Sequence, residues 1–368
     1  MIIGVDATSI NDGGGITHLS QIINSYKHNN SQCKKIFIWG NKNTLSKVKN
    51  KKKIKKIILN RKYENILFRI FWQLFLFEKE LKKYNCEKAL ILGGISFLKT
   101  ISPTIIMQNI LPFELSILKK YPFSFRVKCK IQRILFIYSL KTAGNVIFLS
   151  QSSKKQITKN ISNKKIISKI IPHGINKEKF SKRNFYFKKK IKLLCVSKID
   201  YYKNQIIIIK ALKILLKEGY NLELNLVGGF YGPALKELNK TILKCNVKKN
   251  VVIKKEVVFK NIKKEYRNSN IHIASSLCES FGITVLESGN YCLPTICSNI
   301  KIFNEITGQN VFMFNANSEI NLARLIKKVI NNNYLRQTKI KRYYNFINKN
   351  YSWEKVANET FNFVLNDN

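Results

Sequence analysis

Glu279-Ser280-Phe281-Gly282-Ile283-Thr284-Val285-Leu286-Glu287 follows a short apolar run, Ile271 to Ala274, and opens a helix-like segment, Gly282 to Tyr291. A strand leads into a helix through a glycine. Gly282 lets the backbone approach a ligand closely. The amides of the first helical turn, near Ile283 and Thr284, can bind an anion along the helix dipole. Glu279 stands before the helix and Glu287 a turn or more into it, so two carboxylates can hold hydroxyls at opposite ends of one ligand. A sugar on one side of a diphosphate and a ribose on the other make such a ligand. Read alone, the stretch also fits a helix capped by Glu279 with Glu287 solvated.

Outward from this stretch the same alternation repeats, which signals parallel α/β layers. In the first half, strands are expected at Ile2 to Val5, Lys35 to Trp39, Ala89 to Leu92, Thr104 to Gln108 and Asn145 to Leu149. Asn11-Asp12-Gly13-Gly14-Gly15 precedes a helix near Ile16 to Tyr26. Ile66 to Tyr84 reads as an amphipathic helix, and a long helix is expected around Phe125 to Thr142. Ser150 to Ile157 looks like a capped helix start. Lys47 to Lys56 is almost wholly basic and is expected to be a solvated loop or helix face. Asn184 to Lys190 reads as a linker. The second half restarts with strands Lys192 to Val196, Glu223 to Val227, Val251 to Ile253, Ile271 to Ala274 and Pro294 to Cys297. Its helices are expected at Asn204 to Glu218, Pro233 to Lys244, Ile262 to Ser269 and Asn321 to Asn331. Open parallel sheets bind ligands at the carboxyl ends of their strands. One such loop holds Lys198 and Lys203, and two cations there suit a diphosphate.

The chain has 368 residues, enough for two domains, and its 45% hydrophobic content excludes a disordered chain. The formal net charge is +45. That excess fits a polyanion or anionic-membrane surface, and equally a coding bias toward Lys, Ile and Asn. The lysines spread over loops and helix faces rather than forming basic-aromatic stripes, which disfavours a dedicated nucleic-acid binder. The eight cysteines form no CxxC pair and read as buried thiols in a reducing compartment. MIIGVDATSI at the start has no basic leader pattern, and Ile66 to Phe77 is too short to span a bilayer. The expectation is a cytoplasmic protein that touches a membrane, if at all, from its inner face.

Several motifs occur in one order. They are Ile171-Pro172-His173-Gly174-Ile175-Asn176, Cys195-Val196-Ser197-Lys198-Ile199 with Lys203, Glu279 to Glu287, and Ser288 to Pro294. Asn304-Glu305-Ile306-Thr307-Gly308 with Val311 to Asn315, and Tyr351-Ser352-Trp353-Glu354, follow. This series resembles the retaining GT-B glycosyltransferases of family 4, the glycosyl transferases group 1. It covers roughly the last two hundred residues, and E-x-F-G-x-x-x-x-E is its signature. The first half matches more loosely, through Gly4-Val5-Asp6-Ala7, Gly13-Gly14-Gly15-Ile16 and Gln108-Asn109-Ile110-Leu111-Pro112-Phe113. The chain departs from the pattern at Lys198, where Arg is usual, at Ser197 for Gly, at Asn176 for Asp and at His173 for Asn. Near Asn109 many members carry a His, so no catalytic His is carried over. His173 is expected to be a turn residue and His18 a helix-face one.

The resemblance implies two Rossmann-like α/β domains facing each other across a cleft. Residues 1–173 would bind acceptor, 174–350 would bind donor, and 351–368 would form a helix crossing back to the first domain. It implies transfer of a sugar, with retention, from a nucleotide-diphosphate sugar to a saccharide or lipid-linked saccharide in bacterial surface polysaccharide biosynthesis. No metal or other cofactor is implied. Lys198, Lys203 and the amides after Gly282 would meet the leaving-group charge. Glu279 would orient the sugar, and Glu287 would hold the ribose. Phe281, Gly282, Ile283 and Thr284 would line the donor site, with Gly14 and Gly15 approaching it from the first domain. No nucleophile is assigned. A nucleotide-sugar epimerase of the same fold is the competing enzyme reading.

Overall fold

Short apolar runs bounded by polar turns become strands buried on both faces, as a parallel sheet covered by helices requires. The computed structural model describes residues 1–11, 13–27, 32–159, 161, 166–181, 190–255 and 259–366. Asp12 and the expected linker, apart from Lys190, fall outside these. Two compact units result: residues 1–113, 122–174 and 351–368, and residues 114–121 with 175–350. The short segment Glu114–Tyr121, expected in the first domain, belongs to the second unit.

The first unit holds β1 (Ile2–Asp6), β2 (Lys35–Gly40), β3 (Ile54–Ile58), β4 (Lys88–Ile91), β5 (Thr104–Met107), β6 (Asn145–Phe148) and β7 (Ser168–Ile170), in the order β3-β2-β1-β4-β5-β6-β7. All neighbours pair parallel. The second unit holds β8 (Ile191–Val196), β9 (Leu222–Val227), β10 (Val251–Lys254), β11 (Ile271–Ala274), β12 (Thr295–Ser298) and β13 (Phe312–Phe314), in the order β10-β9-β8-β11-β12-β13. In both, the chain starts mid-sheet, runs to one edge, then crosses to the other side. That is the doubly wound Rossmann order, whose ligand crevice lies where the direction reverses. In the second unit the reversal falls between the paired strands β8 and β11.

Three expectations change in the first unit. The helix after β1 spans Gly13–Ser25, so Gly14 and Gly15 lie in its first turn rather than in a loop before it. The basic run Lys47 to Lys56 is not simply solvated. The Lys51 ammonium donates to the carbonyls of Ile23, Asn24 and Tyr26 at 3.3, 2.8 and 3.0 Å, satisfying the carboxyl end of that helix. The run then becomes edge strand β3, where lysines are tolerated because one side of the strand stays open to water. The segment from Ile66 to Lys83 is helical throughout but carries a π turn at Trp72–Leu76. The wider turn lets Trp72 and Phe77, five residues apart, both face the core, with rings 5.8 Å apart. Its outer face is not polar: Leu67, Phe68, Phe71, Leu74 and Phe75 are exposed.

The C-terminal helix Trp353–Leu365 packs within the first unit, where the Asn145 amide donates to the Phe363 carbonyl at 3.2 Å. His18 and His173, expected at a helix face and a turn, are both buried there, with ring centroids 4.5 Å apart. Burial pushes His18 down to about 4 and His173 well below the usual histidine range. All eight cysteines are free, and only Cys245 is not fully buried.

His272 on β11 is wholly buried, and neither ring nitrogen has a hydrogen-bond partner among the described residues. Burial lowers its pKa from 6.5 to about 3. The folded state therefore keeps it neutral, while the unfolded state takes up a proton below about pH 6.5. Its stability contribution is whole above that pH and declines as pH falls toward 3. At about pH 5 the deficit is about 2 kcal/mol. His272→Leu should therefore lose less thermal stability than the parent between about pH 7 and pH 5; equal losses would remove His272 from the account.

Candidate functional site

At the reversal point of the second sheet, two strand ends deliver two loops. β8 ends at Val196, and the chain passes through Ser197, Lys198 and a 3-10 turn, Tyr201–Lys203, before the helix Gln205–Lys217. β11 ends at Ala274, and Ser275 to Gly282 leads to the helix Ile283–Asn290. Backbone and short polar side chains stitch the loops together. The Leu277 amide donates to the Tyr202 carbonyl and the Ser275 hydroxyl to the Lys203 carbonyl, each at 2.7 Å. Buried Gln205 donates to both the Ser197 hydroxyl and the Lys198 carbonyl at 2.9 Å. Gly228, at φ +141°, lets β9's exit pass this loop: a Cβ there would lie 2.5 Å from the Ser197 carbonyl oxygen.

This stitching joins Lys203 to Glu279. The Lys203 ammonium donates to Glu279 Oε1 in a short ion-paired hydrogen bond, and the Ser276 hydroxyl donates to the same oxygen at 2.7 Å. The two side chains are 14% and 12% exposed, so each charge depends on the other. Burial disfavours the ammonium, but the Glu279 charge, the neighbouring Tyr202 and the hydrogen bond outweigh it and raise the Lys203 pKa. The paired carboxylate and ammonium thus form one unit, where separate roles were expected. Lys198 lies on the same loop, but its side chain is exposed and makes no ion pair among the described residues.

Gly282 sits at φ +95°, and a Cβ there would meet the Phe303 ring at 2.6 Å. Its side-chain space is filled by protein, so the glycine serves the turn and the packing of the helix Lys301–Thr307. The ring of Phe281 is 1% exposed, which leaves only its backbone for a ligand. The amides of Ile283 and Thr284 make no hydrogen bond among the described residues, as an anion-binding helix start requires. Glu287 is half-buried on the same helix, and its Oε2 accepts from the Tyr266 hydroxyl at 2.8 Å. Burial pushes its pKa up to about 7, against the lowering effect of that bond.

Gly14 and Gly15 belong to the first unit. A Cβ on Gly14 would meet nothing within 4 Å among the described residues, whereas Gly15 is backed by Ile10 at 3.2 Å. A cavity of about 310 Å³ in the second unit is lined by Asp200, Tyr201, Asn204, Gln205 and Glu237 among others, and by none of the sequence-predicted site residues. The chemistry sits instead on the open strand ends. Sequence reading missed Ser275, Ser276, Gln205 and Tyr266. Two serines directly after an apolar strand were a readable sign; Tyr266 reaches Glu287 only through tertiary packing.

Two Rossmann-like units, the second with a cation, carboxylates and free helix amides at its reversal point, define a protein of the GT-B class. Residues 176–351 match the family model described as glycosyl transferases group 1. It is 31% identical over 165 residues to Protein CapJ of Staphylococcus aureus, covering 44% of this chain and 41% of that protein. It is 27% identical over 228 residues to the O-antigen chain mannosyltransferase RfbU of Salmonella typhimurium, covering 61% and 60%. The chain thus spans about half the length of these relatives. HepE of Anabaena, solved with UDP and glucose, shares the fold at a TM-score of 0.75, over 98% of each chain and at 16% identity.

Removing one member of the buried pair should strand the other. Lys203→Met is expected to destabilise the second unit by about 2–4 kcal/mol, and adding Glu279→Gln to recover much of it. Denaturant unfolding of both variants measures this; a double variant no better than the single one would deny the coupling.

Proposed function

We propose that the protein transfers a glycosyl unit, with retention at the anomeric carbon, from a nucleotide-diphosphate sugar to a hydroxyl of a saccharide or lipid-linked saccharide. The carrying observation is the convergence at one reversal point of the Lys203–Glu279 pair, the free amides of Ile283 and Thr284, and Glu287. A diphosphate leaving group gains charge as the glycosidic bond breaks. Fixed cations and amide dipoles aimed at it stabilise that charge without reorganising. Lys198 is exposed and able to turn toward the phosphates, and Lys203 supplies a charge held in place by Glu279. With cations from the chain itself, the reading needs no metal or other cofactor. Glu279 has two oxygens; with Oε1 committed to Lys203 and Ser276, Oε2 is available to sugar hydroxyls. Glu287 accepts from the ribose hydroxyls. The acceptor hydroxyl attacks from the leaving-group face, with a phosphate oxygen taking its proton, so no side chain acts as nucleophile.

RfbU, by its name, builds O-antigen chains, which supports a role in bacterial surface polysaccharide assembly. The membrane-side reading rests on the first unit, because no described helix is long and apolar enough to cross a bilayer. On the helix Phe123–Thr142, Phe123, Val127, Ile131, Ile134 and Tyr138 form an exposed apolar stripe. Arg126, Lys128 and Lys130 flank it, and the helix contains no acidic residue. With the exposed apolar face of Ile66–Phe71 and its π turn, this suits a cytoplasmic protein resting on the inner face of an anionic membrane. Lys51 is engaged inside the protein and contributes little to such a surface.

A panel of nucleotide sugars, screened for transfer and slow donor hydrolysis in the presence of EDTA, tests the activity. Glu287→Ala should raise the donor KM at least about tenfold with a smaller change in kcat, and Lys203→Ala should lower kcat about a hundredfold. Unchanged turnover in both would reject this site. Separately, the protein should co-float with phosphatidylglycerol vesicles at physiological salt, and Phe123→Ser/Ile131→Ser/Ile134→Ser should not. Failure of the parent to float would remove the membrane surface.

A further inference from the structure

The helix Phe259–Arg267 stands outside the signature, yet it delivers Tyr266 to Glu287. Tyr266 is fully buried, and its hydroxyl lies 2.8 Å from Glu287 Oε2 and 3.3 Å from the Thr284 carbonyl. A phenol has one proton to give, and the shorter contact gives it to the carboxylate. Glu287 Oε1 has no hydrogen-bond partner among the described residues, so one oxygen is held and the other is open. The phenol is itself held from three sides. Its ring stacks on Tyr291, with centroids 5.2 Å apart and planes at 10°. Glu178 grips the same helix through Lys263 at 3.0 Å and Arg267 at 2.9 Å. The Glu178 amide is tied in turn to Asn290 Oδ1 at 3.1 Å, on the helix that carries Glu287.

We propose that Tyr266 is a positioning residue for nucleotide recognition: its hydroxyl fixes one Glu287 oxygen so that the other accepts from the ribose hydroxyls of a nucleoside diphosphate. This rests on the proposed donor role of Glu287. A carboxylate on a free side chain samples several rotamers and loses entropy on binding; one pinned by a buried phenol is already placed. The hydrogen bond also favours the charged carboxylate, which accepts more strongly than the acid. It does so against burial, which pushes Glu287 up to about 7. The other titratable groups around the pair are Tyr291, the Cys195 thiol of β8 and His272 of β11, whose ring lies 5.8 Å from that of Tyr266. Burial keeps the last two uncharged, so the phenol is the chief stabiliser of the anion.

Calorimetric binding of UDP, GDP and ADP to the full chain between about pH 6 and pH 9 tests this without any acceptor. Tyr266→Phe keeps the stacked ring and removes only the hydroxyl. It should weaken binding of the preferred nucleotide about threefold to tenfold at pH 7 and displace the affinity–pH curve toward higher pH. Tyr266→Leu, also without a hydroxyl, should displace the curve likewise, whereas a residue that only supports the fold would lower thermal stability and leave the curve in place. A Tyr266→Phe curve that coincides with the parent's, while Glu287→Ala abolishes binding, overturns the positioning role alone. If Glu287→Ala binds normally, or the parent binds none of the three, the donor role of Glu287 falls and this inference with it.

Discussion

Lys203 and Glu279 lie 76 residues apart in sequence, and each is too buried to carry its charge alone. Their contact is where the second unit becomes a site. Removing an ammonium and a carboxylate from water costs several kcal/mol per ion, and attraction offsets that cost only when the geometry is good and the remaining lone pairs are used. The Ser276 hydroxyl uses a further lone pair of the same oxygen, and the backbone bonds between the loops hold the geometry, while Oε2 stays open. The pair can form because β8 and β11 are hydrogen-bonded neighbours although β9 and β10 lie between them in sequence. The doubly wound order creates that adjacency, and the charges occupy the place it creates.

From the same point the helix Ile283–Asn290 carries the site in two directions. Its first turn offers amides, which attract negative charge without needing any titratable group. Its middle offers Glu287, whose protonation depends on its surroundings. The two ends of a bound nucleotide would therefore meet different physics: phosphates a fixed dipole and cations, the ribose a carboxylate whose charge must be sustained. Only the second is sensitive to pH near neutrality, because burial has brought Glu287 to about 7 while the Lys203 ammonium is raised further from titration.

Much of this was legible in the sequence because the doubly wound plan writes itself locally. Ile271 to Ala274 was read with the bounds it has, and most other expected strands differ by a residue at one or both ends. What was missed lies at edges and in side-chain reach. β3 and β7 are outer strands, and β3's Ile-Lys-Lys-Ile-Ile reads as charged chain because its half-solvated face tolerates lysine. The helix Asn333–Asn350 was missed because its mean polarity hides the few buried anchors, Ile340, Tyr343 and Ile347. The segment Glu114–Tyr121 joined the second unit through Tyr121, whose hydroxyl bonds Asp200, a contact that no periodicity encodes.

The candidate site residues divide the same way. Glu279, Lys203 and Glu287 were readable because strand ends and helix starts announce where a ligand can be held. Their mutual arrangement was not, and it changes their meaning. Lys203 was expected to face phosphate and Glu279 to face sugar, as independent contacts. As a buried pair they share one electrostatic environment. A ligand that draws Lys203 away must also satisfy Glu279, so a diphosphate alone gains less there than a diphosphate joined to a hydroxyl-bearing sugar. Discrimination between an intact sugar nucleotide and its spent product would then arise from the ion pair itself.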